Sequence, residues 1–176
     1  MKTSTLLQSL KKCSKAEFVE LLLEIALFHP TVENLLRAKF DSTTPVPDFE
    51  SYKGAVSEEF FPDWGCGNGS PSIAYRMLQR VESEATNIQQ VLDFLFFCVE
   101  TGVQYTNDYG DIHEEFYMAF EDLFERAAKL ALANGLSKVY SQQAENIVTS
   151  TAGIGWGFHD ELNRIFIEYF AGGEAA

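Results

Sequence analysis

The chain has 176 residues, 46% hydrophobic, 14% aromatic and 22% charged, which places it among ordinary globular proteins and outside the disordered, collagenous and disulfide-stapled classes. Lys and Arg number 13 against 26 Asp and Glu, and the resulting net charge of −13 repels phosphate backbones and anionic lipid headgroups. Nucleic acid and membrane are therefore disfavoured as partners, and a core of this size needs no cofactor to hold it together.

The expectation is one all-α domain over residues 1–176, with a glycine-rich loop at 63–70 between two packed halves. Cys13, Cys66 and Cys98 are an odd set without CxxC spacing, so neither a disulfide framework nor a zinc knuckle is encoded and a reducing, cytoplasmic setting is expected. The apolar run in the first residues is too short for a signal peptide and lacks a small-residue cleavage site.

In chain order, Leu6, Leu7 and Leu10 make a short first helix. Ser14-Lys-Ala-Glu17 is a capping box that opens a second through Phe18, Leu21, Leu22, Ile25 and Phe28, halted before Pro30. Val32, Leu35, Leu36 and Phe40 continue as a third, ended by the proline loop 41–47. Asp48 caps a fourth through Phe49, Tyr52, Val56 and Phe60, which ends near Pro62.

After Gly65, Gly67 and Gly69, Ser70 reads as an N-cap and Pro71 as a first helical residue, with Ile73, Met77, Leu78 and Val81 as the stripe. Thr86 to Gln89 reads as a second capping box, opening a strongly apolar central helix that closes at Gly102. Asp111 to Glu114 caps the longest helix, with Phe116, Phe120, Leu123, Phe124, Ala127 and Leu130 inward, an Asp122–Arg126 pair outside, and Asn134-Gly135 as its stop. Ser137 opens a helix through Tyr140, Ala144, Ile147 and Val148; a last helix carries Leu162, Ile165, Phe166, Tyr169 and Phe170. About nine helices and no sheet predict a compact multi-helix bundle or an irregular stack of helical hairpins.

Three segments carry residues suited to chemistry. In 106–115, Asp108, Asp111, His113, Glu114 and Glu115 crowd a helix N-terminus, where carboxylates also belong for the dipole alone. Asp108, Asp111 and His113 are the candidate metal ligands, although the spacing matches neither an EF-hand nor HExxH. In 153–161, three glycines surround Trp156 ahead of His159, Asp160 and Glu161, where a neutral imidazole can serve as base or ligand. Gly65 to Ser70 precedes a helix and resembles an anion cradle with Cys66 as a thiol, but lacks the Lys-Ser/Thr ending of a P-loop.

The stretches Ser14 to Glu24, Gly102-Val-Gln-Tyr-Thr-Asn-Asp-Tyr-Gly-Asp-Ile112 and Gly153-Ile-Gly-Trp-Gly-Phe-His-Asp-Glu-Leu162 together resemble an uncharacterised bacterial family of small all-α proteins, a domain of unknown function. That resemblance implies a bacterial cytoplasmic protein with an all-α fold and carries no activity with it. Where the family has basic residues after the Phe-Phe-Pro turn, this chain has Asp63 and glycines.

Without a recognisable reaction centre, the expected function is a non-enzymatic protein–protein interaction module that binds an unidentified protein through Tyr109, Asp111, Trp156 and His159. The alternative is a metal-assisted or acid/base enzyme using His113, His159 and Asp160, which requires the loops 106–115 and 153–161 to meet in space.

Overall fold

Every regular element that the computed structural model describes, over residues 14–28 and 48–171, is helical. The chain divides into two compact units, Met1–Val46 and Pro47–Ala176. In the first, helix α1 (Lys15–Phe28) starts directly after Ser14, whose carbonyl accepts the Phe18 N–H at 3.0 Å. Phe18, Val19 and Leu21 of α1 are exposed. The helices expected at Leu6–Leu10 and from Thr31 to Phe40, together with Cys13, lie outside the described residues.

The second unit contains α2 (Phe49–Phe60), α3 (Ser72–Glu84), α4 (Ile88–Tyr109), α5 (Glu114–Ala133), α6 (Ser137–Ser150) and α7 (Phe158–Phe166), which runs on into a π-helical turn (Ile167–Ala171). Among the described residues there are thus seven α-helices, against about nine expected. None is long and apolar enough to cross a membrane. The glycine-rich loop 63–70 lies inside this unit, between α2 and α3.

Helix α4 is the centre. It packs against α2, α3, α5 and α6, and it buries side chains nearly all round, from Val91 and Leu92 through Phe94, Leu95 and Phe96 to Tyr105. A helix apolar on every side has no stable place except the interior. Its N-terminus is closed by a capping box one residue later than expected: Asn87 Oδ1 accepts the Gln90 N–H at 3.1 Å, and Gln90 Oε1 accepts the Asn87 N–H at 3.3 Å. Asn caps as well as Thr, and the box needs only an interval of three.

Helix α4 also runs past Gly102 to Tyr109, which makes it longer than α5, the helix expected to be longest. Gly102 is a notch rather than a stop: a Cβ there would lie 2.5 Å from Phe120 Cε1 and Cζ on α5. Two helices approach closely where one of them lacks a side chain. Phe120 in turn packs edge-on and tilted against Phe60 and Phe116, while Phe96, Phe124 and Phe170 form a second ring cluster with Tyr140.

Other helix starts also differ from expectation. Pro71 is the cap of α3 and makes no side-chain bond; the Ser70 hydroxyl instead meets Ser72 Oγ at 2.7 Å. Asp48 caps α2 as expected, accepting the Ser51 N–H at 3.1 Å. Arg126 does not pair with Asp122 but reaches across to Glu82 on α3, and Asp122 accepts the Tyr75 hydroxyl at 2.9 Å.

Tyr75 belongs to a recurring device, in which a tyrosine lies along an apolar seam and its hydroxyl bonds the neighbouring element. Tyr52 donates to Glu84, Tyr75 to Asp122 and to the Ala119 carbonyl, and Tyr140 to Asp93 at 2.6 Å. Burial, reinforced by the adjacent carboxylate, pushes each of these three hydroxyls above its ordinary pKa. Burial alone raises the Cys98 thiol, which sits in α4 as a small hydrophobe.

Candidate functional site

The α4–α5 turn, with the helix ends that flank it over residues 105–117, is where three loops meet. Tyr117 of α5 is buried, and its hydroxyl accepts the Ile112 N–H at 3.1 Å, donates to Asp111 Oδ1 at 3.3 Å and lies 2.9 Å from Thr106 Oγ1. One phenol therefore pins the turn from beneath. Its ring meets Phe158 at the start of α7, with centroids 5.1 Å apart.

The loop 151–157 lies against this turn. A Cβ on Gly155 would sit 3.5 Å from Asp111 Oδ1, and Asn107 Nδ2 donates to the Ser150 carbonyl at 3.0 Å. The segments 106–115 and 153–161, whose meeting the spacing of residues could not establish, are neighbours. The 61–70 loop reaches the same region from the other side. Tyr105 donates to the Gly67 carbonyl at 2.9 Å, lies 3.9 Å from Cys66 Sγ, and packs on Tyr109, which stacks on Phe61.

Each candidate side chain has a definite place in this arrangement. His113, rather than Asp111, is the N-cap of α5: its Nδ1 accepts the Phe116 N–H at 3.3 Å, and the Glu115 carboxylate lies 3.1 Å from that same nitrogen. The neutral ring serves the cap, whereas only a protonated Nδ1 can donate to Glu115. Asp111 is held by Tyr117, and Asp108 lies at the exposed end of α4, 3.5 Å from Gln104 Nε2. Among the described residues no group of three or more His, Cys, Asp or Glu side chains is placed to hold a metal ion, so Asp108, Asp111 and His113 do not form one.

His159, in the first turn of α7, is half-buried. Thr151 Oγ1 gives its single hydrogen to the Val148 carbonyl at 2.6 Å, so the 2.8 Å contact with His159 Nδ1 has the ring nitrogen as donor. That assigns the neutral ring its Nδ1–H tautomer and leaves the Nε2 lone pair free of this contact. Asp160 is exposed beside it, and Glu161 is taken by Arg164 at 2.7 Å, which holds its carboxyl below the usual range.

Trp156 stands apart from all of these. It is 59% exposed and has a φ of +60°, the only non-glycine residue among those described with a positive φ. Tyr109, the last residue of α4, is 46% exposed. Trp64, in the 61–70 loop, is 92% exposed and was not singled out from the sequence, where one Trp among glycines carries no sign of its exposure.

In the Gly65–Ser70 segment the Gly69 amide is spent within the chain rather than turned to a ligand. The Gly69 N–H donates to the Glu59 carbonyl at 3.4 Å, and Tyr105 occupies the space that a Cβ on Gly69 would need. Comparison with protein-family models, with curated proteins and with solved structures found no match to this chain.

Proposed function

We propose that this is a non-enzymatic, cytoplasmic protein–protein interaction module of bacterial type, whose contact surface is the rim formed by Tyr109, Asp111, Trp156 and His159. The observation that carries the reading is Trp156. A left-handed backbone costs a bulky residue roughly 1 kcal/mol or more, and it is kept only where something over-determines it. Here the strained residue exposes a large indole to water, next to Gly155, which lies against Asp111 of the α4–α5 turn. Exposed Trp and Tyr are the side chains that anchor protein interfaces, because they bury much area for little conformational entropy.

The test is capture of partners from the native host under mild cross-linking, comparing the natural chain with Trp156→Gly and Tyr109→Ala. Trp156→Gly relieves the backbone while deleting the indole, so it is expected to fold at least as well and to lose the partner. Retention of every partner by both variants refutes the surface.

One observation favours the acid/base alternative at His113, His159 and Asp160, namely that the segments carrying them meet at Asp111 and Gly155. Its signature would be turnover that disappears in His159→Gln while the fold persists.

A further inference from the structure

Beside the proposed contact rim, α4 and α6 part to form a cleft of about 290 Å³. Val103 and Ile147, both buried, make its floor. Glu100, Gln104 and Asn107 line it from α4, and Asn146 and Ser150 from α6. It runs from Glu100 to Asn107, two helical turns or roughly 10 Å, and its upper end is the Asn107–Ser150 bond that borders the loops.

The charge on the walls is one-sided. No Lys or Arg lines the cleft. The Glu100 carboxylate accepts Gln143 Nε2 at 2.8 Å, which leaves it lone pairs for further donors. Asn107 gives one N–H to the Ser150 carbonyl, and its own amide oxygen has no donor among the described residues. Asn146 Oδ1 accepts Gln142 Nε2 at 3.2 Å, and Asp108, one turn beyond Gln104 on α4 and outside the lining, lies 3.5 Å from Gln104 Nε2. The slot therefore sets one carboxylate and the Asn107 amide oxygen, with amide N–H groups beside them, above an apolar floor, on a chain of net charge −13.

We infer that this cleft receives an arginine side chain from an extended segment of the partner protein. The methylene stem matches the Val103–Ile147 floor, and the guanidinium matches the Glu100 carboxylate and the Asn107 amide oxygen, since Arg is weakly hydrated and offers five donors in a fixed plane. The volume lies at the lower edge of the roughly 300–1,000 Å³ usual for small-molecule sites, which suits one long side chain rather than a helix. The inference rests on the interaction reading above and gives that reading a partner chemistry.

The side-chain NH₂ resonances of Gln104, Asn107 and Asn146 report on the cleft directly. In NMR titrations of the full chain, the blocked peptide Gly-Arg-Gly is expected to shift them, and its isosteric citrulline counterpart, lacking only the charge, to bind about tenfold more weakly. The double variant Glu100→Gln/Asp108→Asn keeps the volume and removes the charge, and is expected to lose the same factor with an unchanged melting temperature. Asn146→Arg, which supplies the side chain from within, is expected to block the peptide. Absence of shifts at millimolar peptide, or equal shifts from the citrulline peptide, overturns the inference. If the titration fails while a partner still depends on Trp156, only the cleft is refuted. If the titration succeeds while partners ignore Trp156, the cleft stands and the rim is refuted.

Discussion

The two glycine-rich loops of the second unit read almost alike, Gly65-Cys-Gly-Asn-Gly-Ser70 and Gly153-Ile-Gly-Trp-Gly157, yet they use glycine differently. Both hold glycines at positive φ, Gly65 and Gly69 in the first, but only in the first does glycine also make room. A Cβ on Gly67 would collide with the backbone oxygens of Phe60 and Glu59, and one on Gly69 would lie 2.6 Å from the Tyr105 ring. In the second, a Cβ on Gly153 or Gly157 meets nothing within 4 Å; those residues are glycine because their φ values are +91° and +74°. The first loop is fixed to the core through Gly67 and Gly69, and the second packs through Ile154 while leaving Trp156 exposed. Spacing of glycines alone cannot separate these cases, because only the neighbouring surface decides between them.

The sharpest way to break this comparison is alanine substitution in both loops. Gly67→Ala must displace main chain rather than a flexible side chain, and is expected to cost about 3 kcal/mol. Gly102→Ala, which meets the buried Phe120 ring, belongs to the same class. Gly153→Ala faces only the strain of its φ and is expected to cost about 1 kcal/mol. Urea denaturation of the three variants checks the order, and equal losses would dissolve the distinction.

Next in size is the pin beneath the turn. Tyr117→Phe keeps the ring on Phe158 but takes the acceptor from the Ile112 N–H and the donor from Asp111. Leaving such groups unpaired is expected to cost about 2 kcal/mol. Hydrogen exchange should quicken at Ile112 and spread to the 151–157 loop if the phenol joins the two, and should stay local if it does not.

How far this could be seen in advance follows from the range over which each feature acts. The all-helical character and the Asp48 cap were legible, because helix periodicity and caps are local signals. So was the central place of α4, an apolar run too continuous for a surface helix. Its extension past Gly102 was not legible, since a glycine that stops a helix and one that lets a neighbouring helix approach look identical without Phe120 in view. Arg126 was assigned to Asp122 by the i,i+4 rule, but Glu82 on another helix took it. The candidate loops were identifiable by composition, whereas their meeting was decided by Asn107, Tyr117 and Gly155 across more than 30 residues of chain. Tyrosine clamps escaped entirely, because nothing in a stripe of aromatics says which hydroxyl will find a carboxylate.

Those clamps set the response to alkali. In the folded chain Tyr75 and Tyr140 keep their protons above the ordinary value of 10.0, because burial and the facing Asp122 and Asp93 disfavour the phenolate. The unfolded chain releases them near that value, so above it the unfolded state binds fewer protons and stability falls as pH rises. The contribution is fully present below pH 10 and is lost beyond it. Melting temperatures measured across that range should fall less in Tyr140→Phe than in the natural chain, since phenylalanine removes one of the groups that must ionise.

The smallest effect has the opposite sign and concerns the second loop. Trp156→Gly is expected to stabilise the fold by about 0.5 kcal/mol, as relief of a left-handed backbone outweighs the greater freedom that glycine gives the unfolded chain. A buried tryptophan could not behave this way, because its loss would leave a cavity; a half-exposed one in a strained turn can. If the variant instead loses 2 kcal/mol or so, as a packed aromatic would, then Trp156 belongs to the core and the two glycine loops differ less than their geometry indicates. If it gains stability and loses the partner, the strain in this turn is maintained for contact rather than for folding.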